Sequence, residues 1–171
     1  MLIKRDDKEY AKLITWLDRG AYDCMVTLTF KGDTLRPKKR MRRRLSDKFA
    51  ERCLGKLVSR YMKATRPKNS KKKIIMAPFL ERTTADEPHF HILFRLGEDM
   101  EASKTLLRDI WVKVAPGVCG DPLVHDKKGD EWFEMISTPE DRIHAIEYAT
   151  KWRTNIDGLV LKYTHLGPFE D

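Results

Sequence analysis

The segment Pro88-His89-Phe90-His91-Ile92-Leu93-Phe94, in which apolar residues alternate with histidine, restricts this chain more than any other. A period of two sends Phe90, Ile92 and Phe94 to one side of a strand and His89 and His91 to the other. One side therefore needs a hydrophobic cover, while the other presents two imidazoles together. Met25 to Phe30 has the same period, with Val26, Leu28 and Phe30 alternating with Thr27 and Thr29. Lys73 to Arg82 is a β-branched and apolar run, joined to the histidine strand by a short polar connection, and the two are expected to form an antiparallel hairpin. A fourth strand is expected at Trp132 to Ile136.

Helical spacing fills the intervals. Asp6 to Arg19 carries Tyr10, Leu13, Ile14 and Leu17 on one face. Ser46 opens a helix running through Phe49, Ala50, Cys53, Leu54, Leu57, Val58 and Tyr61 and ending at Arg66-Pro67. Glu101 to Val114 places Leu106, Leu107, Ile110 and Trp111 together before the Pro116-Gly117 break. Thr138-Pro139-Glu140-Asp141 combines a capping hydroxyl, a proline at the first helical position and acids in the first turn, and predicts a helix to about Thr154. From the first strand onward the order is strand, helix, strand, strand, helix, strand. The expected fold class is α+β, a ferredoxin-like (split βαβ) antiparallel sheet with helices on one face and a further, tyrosine-bearing helix at the C-terminal end. With no internal repeat and no Gly/Ser-rich linker, residues 1–171 read as one domain.

Composition narrows the function. A hydrophobic fraction of 41% is too high for a disordered chain. No stretch approaches the roughly 20 apolar residues of a membrane span, and Met1 to Tyr10 is charged, so a soluble, cytoplasmic protein without a membrane partner is expected. Three cysteines, Cys24, Cys53 and Cys119, are odd in number and lack C-x-x-C spacing, which argues against a disulfide framework and against a thiolate zinc site. The net charge of +8 is unevenly spread: Arg36 to Lys73 holds 17 basic and 2 acidic residues, leaving 17 basic and 24 acidic elsewhere. A concentrated positive field selects polyanions, nucleic acid first. Lys38, Lys39, Arg40, Arg42, Arg43 and Arg44, with Lys71, Lys72 and Lys73, are the candidate phosphate contacts. The plainer alternative is a solvated loop followed by the polar face of a helix.

Chemistry concentrates at the histidine strand. Glu81 closes the preceding strand, and a hairpin turning near Asp86 is expected to put it on the same face as His89 and opposite that residue. Two imidazoles and a carboxylate suit Mn²⁺, Mg²⁺, Co²⁺ or Zn²⁺. Taken alone, an H-x-H pair is more often an ordinary polar pair on a solvated face. In the last helix His144, Tyr148, Lys151 and Asn155 fall on one stripe. A tyrosine hydroxyl held in line can attack phosphorus when a metal and a cation polarise the phosphoryl oxygen, and Lys151 would supply that cation. Taken alone, Tyr148 reads first as a half-buried aromatic anchor.

Three motifs in order, Val26-Thr27-Leu28-Thr29-Phe30, Pro88-His89-Phe90-His91-Ile92 and Tyr148-Ala149-Thr150-Lys151, give the chain a resemblance to HUH-superfamily endonucleases of the rolling-circle replication initiator (Rep) type. The resemblance implies that Glu81, His89 and His91 hold a divalent ion, Mn²⁺ or Mg²⁺. It implies that Tyr148 is the nucleophile, that Lys151 helps to place the scissile phosphate, and that Thr27 and Thr29 support the floor of the site. It further implies nicking and rejoining of single-stranded DNA at a hairpin origin, through a 5′-phosphotyrosine intermediate and a free 3′-hydroxyl. No G-x-x-x-x-G-K-[ST] is present, so unwinding is expected from a host or separately encoded helicase, and extension from a polymerase. A single tyrosine near the motif sets the chain apart from paired-tyrosine initiators. Its compact form most resembles the initiators of small phages and plasmids, which places it in a prokaryotic cytoplasm. Rival readings are a single-strand transposase of the HUH class, a metal-dependent nuclease that activates water, and a non-catalytic sheet like an RNA-recognition module.

Overall fold

Alternating apolar residues become a sheet whose two faces meet different layers. A computed structural model describes residues 7–30, 45–66, 73–82, 87–97, 99–120, 132–151 and 156–167. Its elements are α1 (Asp7–Asp18), β1 (Cys24–Thr29), α2 (Asp47–Thr65), β2 (Ile75–Arg82), β3 (Pro88–Arg95), α3 (Met100–Val114), β4 (Phe133–Met135) and α4 (Pro139–Ala149), followed by two single 3-10 turns, Ile156–Gly158 and Leu161–Tyr163. The strands lie in the order β2-β3-β1-β4 and every neighbouring pair is antiparallel, the arrangement expected of a split βαβ sheet.

Even-numbered residues of β1 and β3, namely Cys24, Val26, Leu28, Phe90, Ile92 and Phe94, bury one face against Leu54, Leu57, Leu107 and Trp111 of α2 and α3. Side chains as fully buried as Phe90 and Trp111 contribute about 1.5–3 kcal/mol each through apolar burial. The helices start where their caps allow. The Ser46 hydroxyl accepts from Phe49 N at 3.2 Å, and the Asp99 carboxylate accepts from Ala102 N at 3.1 Å. Thr138 and Asp141 exchange side-chain-to-backbone bonds in a capping box.

The opposite face is not left bare. Met25, Ala77, Phe79 and Leu93 are buried under Leu17 of α1 and Ala145, Ile146 and Ala149 of α4. Arg142 Nε donates to Asp18 Oδ1 at 2.5 Å, tying α4 to α1. This face thus has two halves: an apolar one roofed by α1 and α4, and a polar one bearing Thr27, Thr29, Glu81, His89 and His91. The helix-rich side expected from the sequence is therefore joined by a second, partial roof. The exposed apolar rows of three strands require it.

After α4, the chain returns along the outer edge of β2. Met76 and His165 exchange backbone hydrogen bonds of 2.8 and 2.9 Å, and Val160 N donates to Pro78 O at 2.9 Å. The 3-10 turn between them seats Tyr163 against Gly55 of α2, where an added Cβ would lie 2.3 Å from the tyrosine hydroxyl. Cys24, Cys53 and Cys119 are all buried and reduced.

Candidate functional site

Strand register assembles the polar half-face row by row. Thr29, His89 and Glu81 stand side by side across β1, β3 and β2, and Thr27, His91 and Phe79 form the next row. The β2–β3 pairing is centred on position 85 and sets Glu81 opposite His89, as expected; a hairpin centred on Asp86 would have set it opposite His91, on the same face. Because side-chain direction repeats every two residues, moving a hairpin's centre by one shifts the partner by two and preserves the face.

Glu81 Oε2, His89 Nε2 and His91 Nε2 form a triangle with sides of 3.1, 3.2 and 3.1 Å. Three ligands about 2.1 Å from one ion and at right angles to each other would be about 3.0 Å apart, so the spacing fits one face of an octahedron and leaves positions for other ligands. These residues could therefore hold a metal ion. Thr27 Oγ1 lies 3.1 Å from His91 Nδ1. With the hydrogen on Nδ1, the imidazole donates to that hydroxyl and aims the Nε2 lone pair at the triangle. Burial, with the charges of His89 and Lys151, depresses the His91 pKa to about 4 against the opposing pull of Glu81, which leaves the ring neutral and able to ligate at neutral pH.

Tyr148 reaches the same place from α4, and Lys151 from the turn that follows it. The Tyr148 ring stands edge-on to the His91 ring at 5.2 Å between centroids. Lys151 Nζ lies 3.4 Å from Glu81 Oε2 and 4.2 Å from the centre of the Tyr148 ring. The helix carrying them is shorter than expected, ending at Ala149 instead of about Thr154. The fully buried Thr150 hydroxyl donates back to the carbonyls of Ile146 and Glu147, and accepts from Tyr10 OH of α1 at 2.8 Å. Lys151 then adopts a left-handed backbone, φ 46°, with its N–H bonded to Tyr148 O at 2.9 Å. For a residue with a Cβ this conformation costs about 1–2 kcal/mol. Lys151 thus meets Tyr148 through a turn, not along a continuous helical stripe, and Asn155 lies outside the described residues.

Together these groups line a cleft of about 300 Å³, which also includes Thr27, Thr29, Phe30, Glu87 and Pro88. Tyr148 is 40% exposed at its rim. Glu87 has no place in the sequence motifs, although it precedes His89 by two and so shares its parity. His144 is exposed and does not line the cleft. Of the candidate phosphate contacts, Lys38, Lys39, Arg40, Arg42, Arg43, Arg44, Lys71 and Lys72 lie outside the described residues. Lys73 is exposed just before β2, at the opposite end of that strand from Glu81. Phe30, the last described residue before the basic run, lines the cleft. Leu45, the first after it, is held by Arg82 Nη2, which donates to its carbonyl at 2.8 Å and to Asp47 Oδ1 at 2.5 Å. No described helix is long and apolar enough to cross a membrane. No protein-family model, no curated protein and no solved structure matches this chain, so the chemistry open to the cleft follows from these residues alone.

Proposed function

We propose that the chain is a metal-dependent, tyrosine-based single-strand DNA nicking and joining enzyme of the HUH initiator type. The supporting observation is convergence: a tyrosine hydroxyl donor, an ammonium group and a three-ligand set, drawn from β2, β3 and α4, share one cleft. A divalent ion held by Glu81, His89 and His91, Mn²⁺ or Mg²⁺ in this reading, supplies Lewis-acid polarisation of a non-bridging phosphate oxygen. Lys151 adds positive charge beside that phosphate, and the left-handed turn fixes its distance from Tyr148. Tyr148 Oη forms a bond to phosphorus as the bond to the 3′ oxygen breaks; the phenolic proton leaves to solvent and the departing oxygen is protonated. The products are a 5′-phosphotyrosine and a free 3′-hydroxyl, and the ester retains the bond energy for rejoining. A hairpin origin as substrate, with helicase and polymerase supplied separately, completes the proposal. A sheet that stacks bases would need an open, aromatic face, and α1 and α4 cover half of the one available. An HUH transposase uses the same chemistry, and no described residue favours it.

The test is a pool of 5′- and 3′-labelled single-stranded hairpins of random sequence incubated with protein and Mn²⁺. A covalent adduct on the 5′ end should form with the native chain and disappear in Tyr148→Phe, which should bind Mn²⁺ as before. An adduct mapping to another tyrosine, or cleavage by Tyr148→Phe, would overturn the proposal.

A further inference from the structure

The exposed face of α2 carries a second concentration of positive charge, on the side of the sheet away from the cleft. Lys48, Arg52, Lys56, Arg60 and Lys63 are all exposed. At about 100° per residue they fall within an arc of roughly 120°, turned away from the buried stripe Ala50, Cys53, Leu54, Leu57 and Tyr61. None of the five forms an ion pair with any described residue. The two acids of the helix lie in its first two turns, and Asp47 is bonded to Arg82. Arg60 Nη1 donates to the main-chain carbonyl of Lys113 at 2.8 Å, which brings the exposed Lys113 of α3 alongside.

A helix face that served only solubility would alternate its charges at i and i+4, where opposite signs stabilise and like signs oppose folding by about 0.2–0.5 kcal/mol per pair. Here positions 48, 52, 56 and 60 repeat the same sign at that spacing. The repulsion is relieved when a polyanion lies along the helix. No large apolar residue is exposed on α2 or α3, since Met135, Tyr148 and Leu161 are the exposed ones among the described residues. Phe49, the aromatic within the arc, is partly buried against the core and lies under the Arg52 guanidinium at 5.7 Å, so the described face offers no row of platforms for unpaired bases, and without exposed apolar side chains it cannot enter a lipid surface. Phosphates at regular spacing remain as the matching chemistry. From Lys48 to Lys63 the helix rises about 22 Å, the length of about six to seven base pairs of duplex.

We infer that the outer face of α2, extended by Lys113, binds the sugar-phosphate backbone of a nucleic-acid duplex without reading sequence. This surface is separate from the cleft and does not require the nicking reaction. If the nicking reading also holds, a strand could be cut on one side while the adjoining duplex is held on the other.

The experiment measures binding of the full chain to a 20-base-pair DNA duplex of arbitrary sequence over a range of salt concentrations. The test variant is Arg52→Gln/Lys56→Gln/Lys63→Gln, which removes charge from exposed residues that hydrogen-bond to no described residue, gives up only the Arg52 contact with the Phe49 ring at 5.7 Å, and should keep the melting temperature close to the native value. The slope of log K against log salt should become shallower by about 2–3, at about 0.9 for each phosphate no longer neutralised. Adduct formation on a short single strand should be unchanged, so failure here is separable from failure of the nicking reading. A native chain that does not bind duplex, or a folded variant with the native salt slope, would overturn the inference; in the latter case an acidic protein partner could still be tested with the same variant.

Discussion

Thr27→Val is the sharpest probe of the ligand triangle, because it keeps the shape of a strand residue and removes only the hydroxyl 3.1 Å from His91 Nδ1. His91 is 3% exposed, so no water can readily replace that partner. An unsatisfied buried donor costs about 1–3 kcal/mol, and losing the group that orients a metal-bound imidazole weakens metal affinity by about 10–100-fold. Calorimetric titration with Mn²⁺ should therefore give a dissociation constant raised by one to two decades, while Thr27→Ser restores the native value. Thermal unfolding in the presence of chelator separates the two contributions, since it reports the unsatisfied donor without the metal. Equal affinity in Thr27→Val and the native chain would show that the hydroxyl does not orient His91 for a metal, and no Mn²⁺ binding by the native chain would remove the metal site itself.

Two other outcomes follow from contacts around the cleft. Tyr10→Phe deletes the hydrogen bond to Thr150 and should destabilise the fold by about 0.5–1.5 kcal/mol, a fall of about 1–6 °C in melting temperature, with a larger loss of adduct rate because the Tyr148–Lys151 turn loosens. In metal-free protein, His91 takes up a proton near pH 6.5 when unfolded and only near pH 4 when folded, so the unfolded state binds more protons between these values. From this group stability should accordingly fall as pH drops through that window, by up to about 1.4 kcal/mol per unit, and denaturant titrations should show that part of the slope lost in His91→Asn, while His165, whose pKa burial also lowers, keeps a contribution of the same sign.

The parts of the site that were legible in the sequence are those governed by strand periodicity. His89, His91 and Glu81 share a face whichever even register the hairpin adopts, so an imprecise turn position did no harm. The path to Lys151 was not legible, because the helix ends where Thr150 is gripped by Tyr10, 140 positions away. No local spacing encodes such a contact. The second roof had a local signal: Ile75, Ala77 and Phe79 are apolar on the face opposite Met76 and Leu80, the pattern of a strand covered on both sides. Leu13, Ile14 and Leu17 on α1 supplied the matching stripe.

The returning segment from Leu159 to His165 has a consequence for assembly. A peripheral strand with free amide and carbonyl groups is a template on which another chain can crystallise into a growing ladder. Along the Met76–Phe79 stretch of β2 that template is already spent on a later segment of the same chain, with Met76 and Pro78 engaged and Phe79 bridged to Leu159. At the far margin β4 offers three residues, too few to seed a lasting partner strand. Among the described residues, the sheet is thereby closed to growth along Met76–Pro78 by its own chain and at the other margin by brevity.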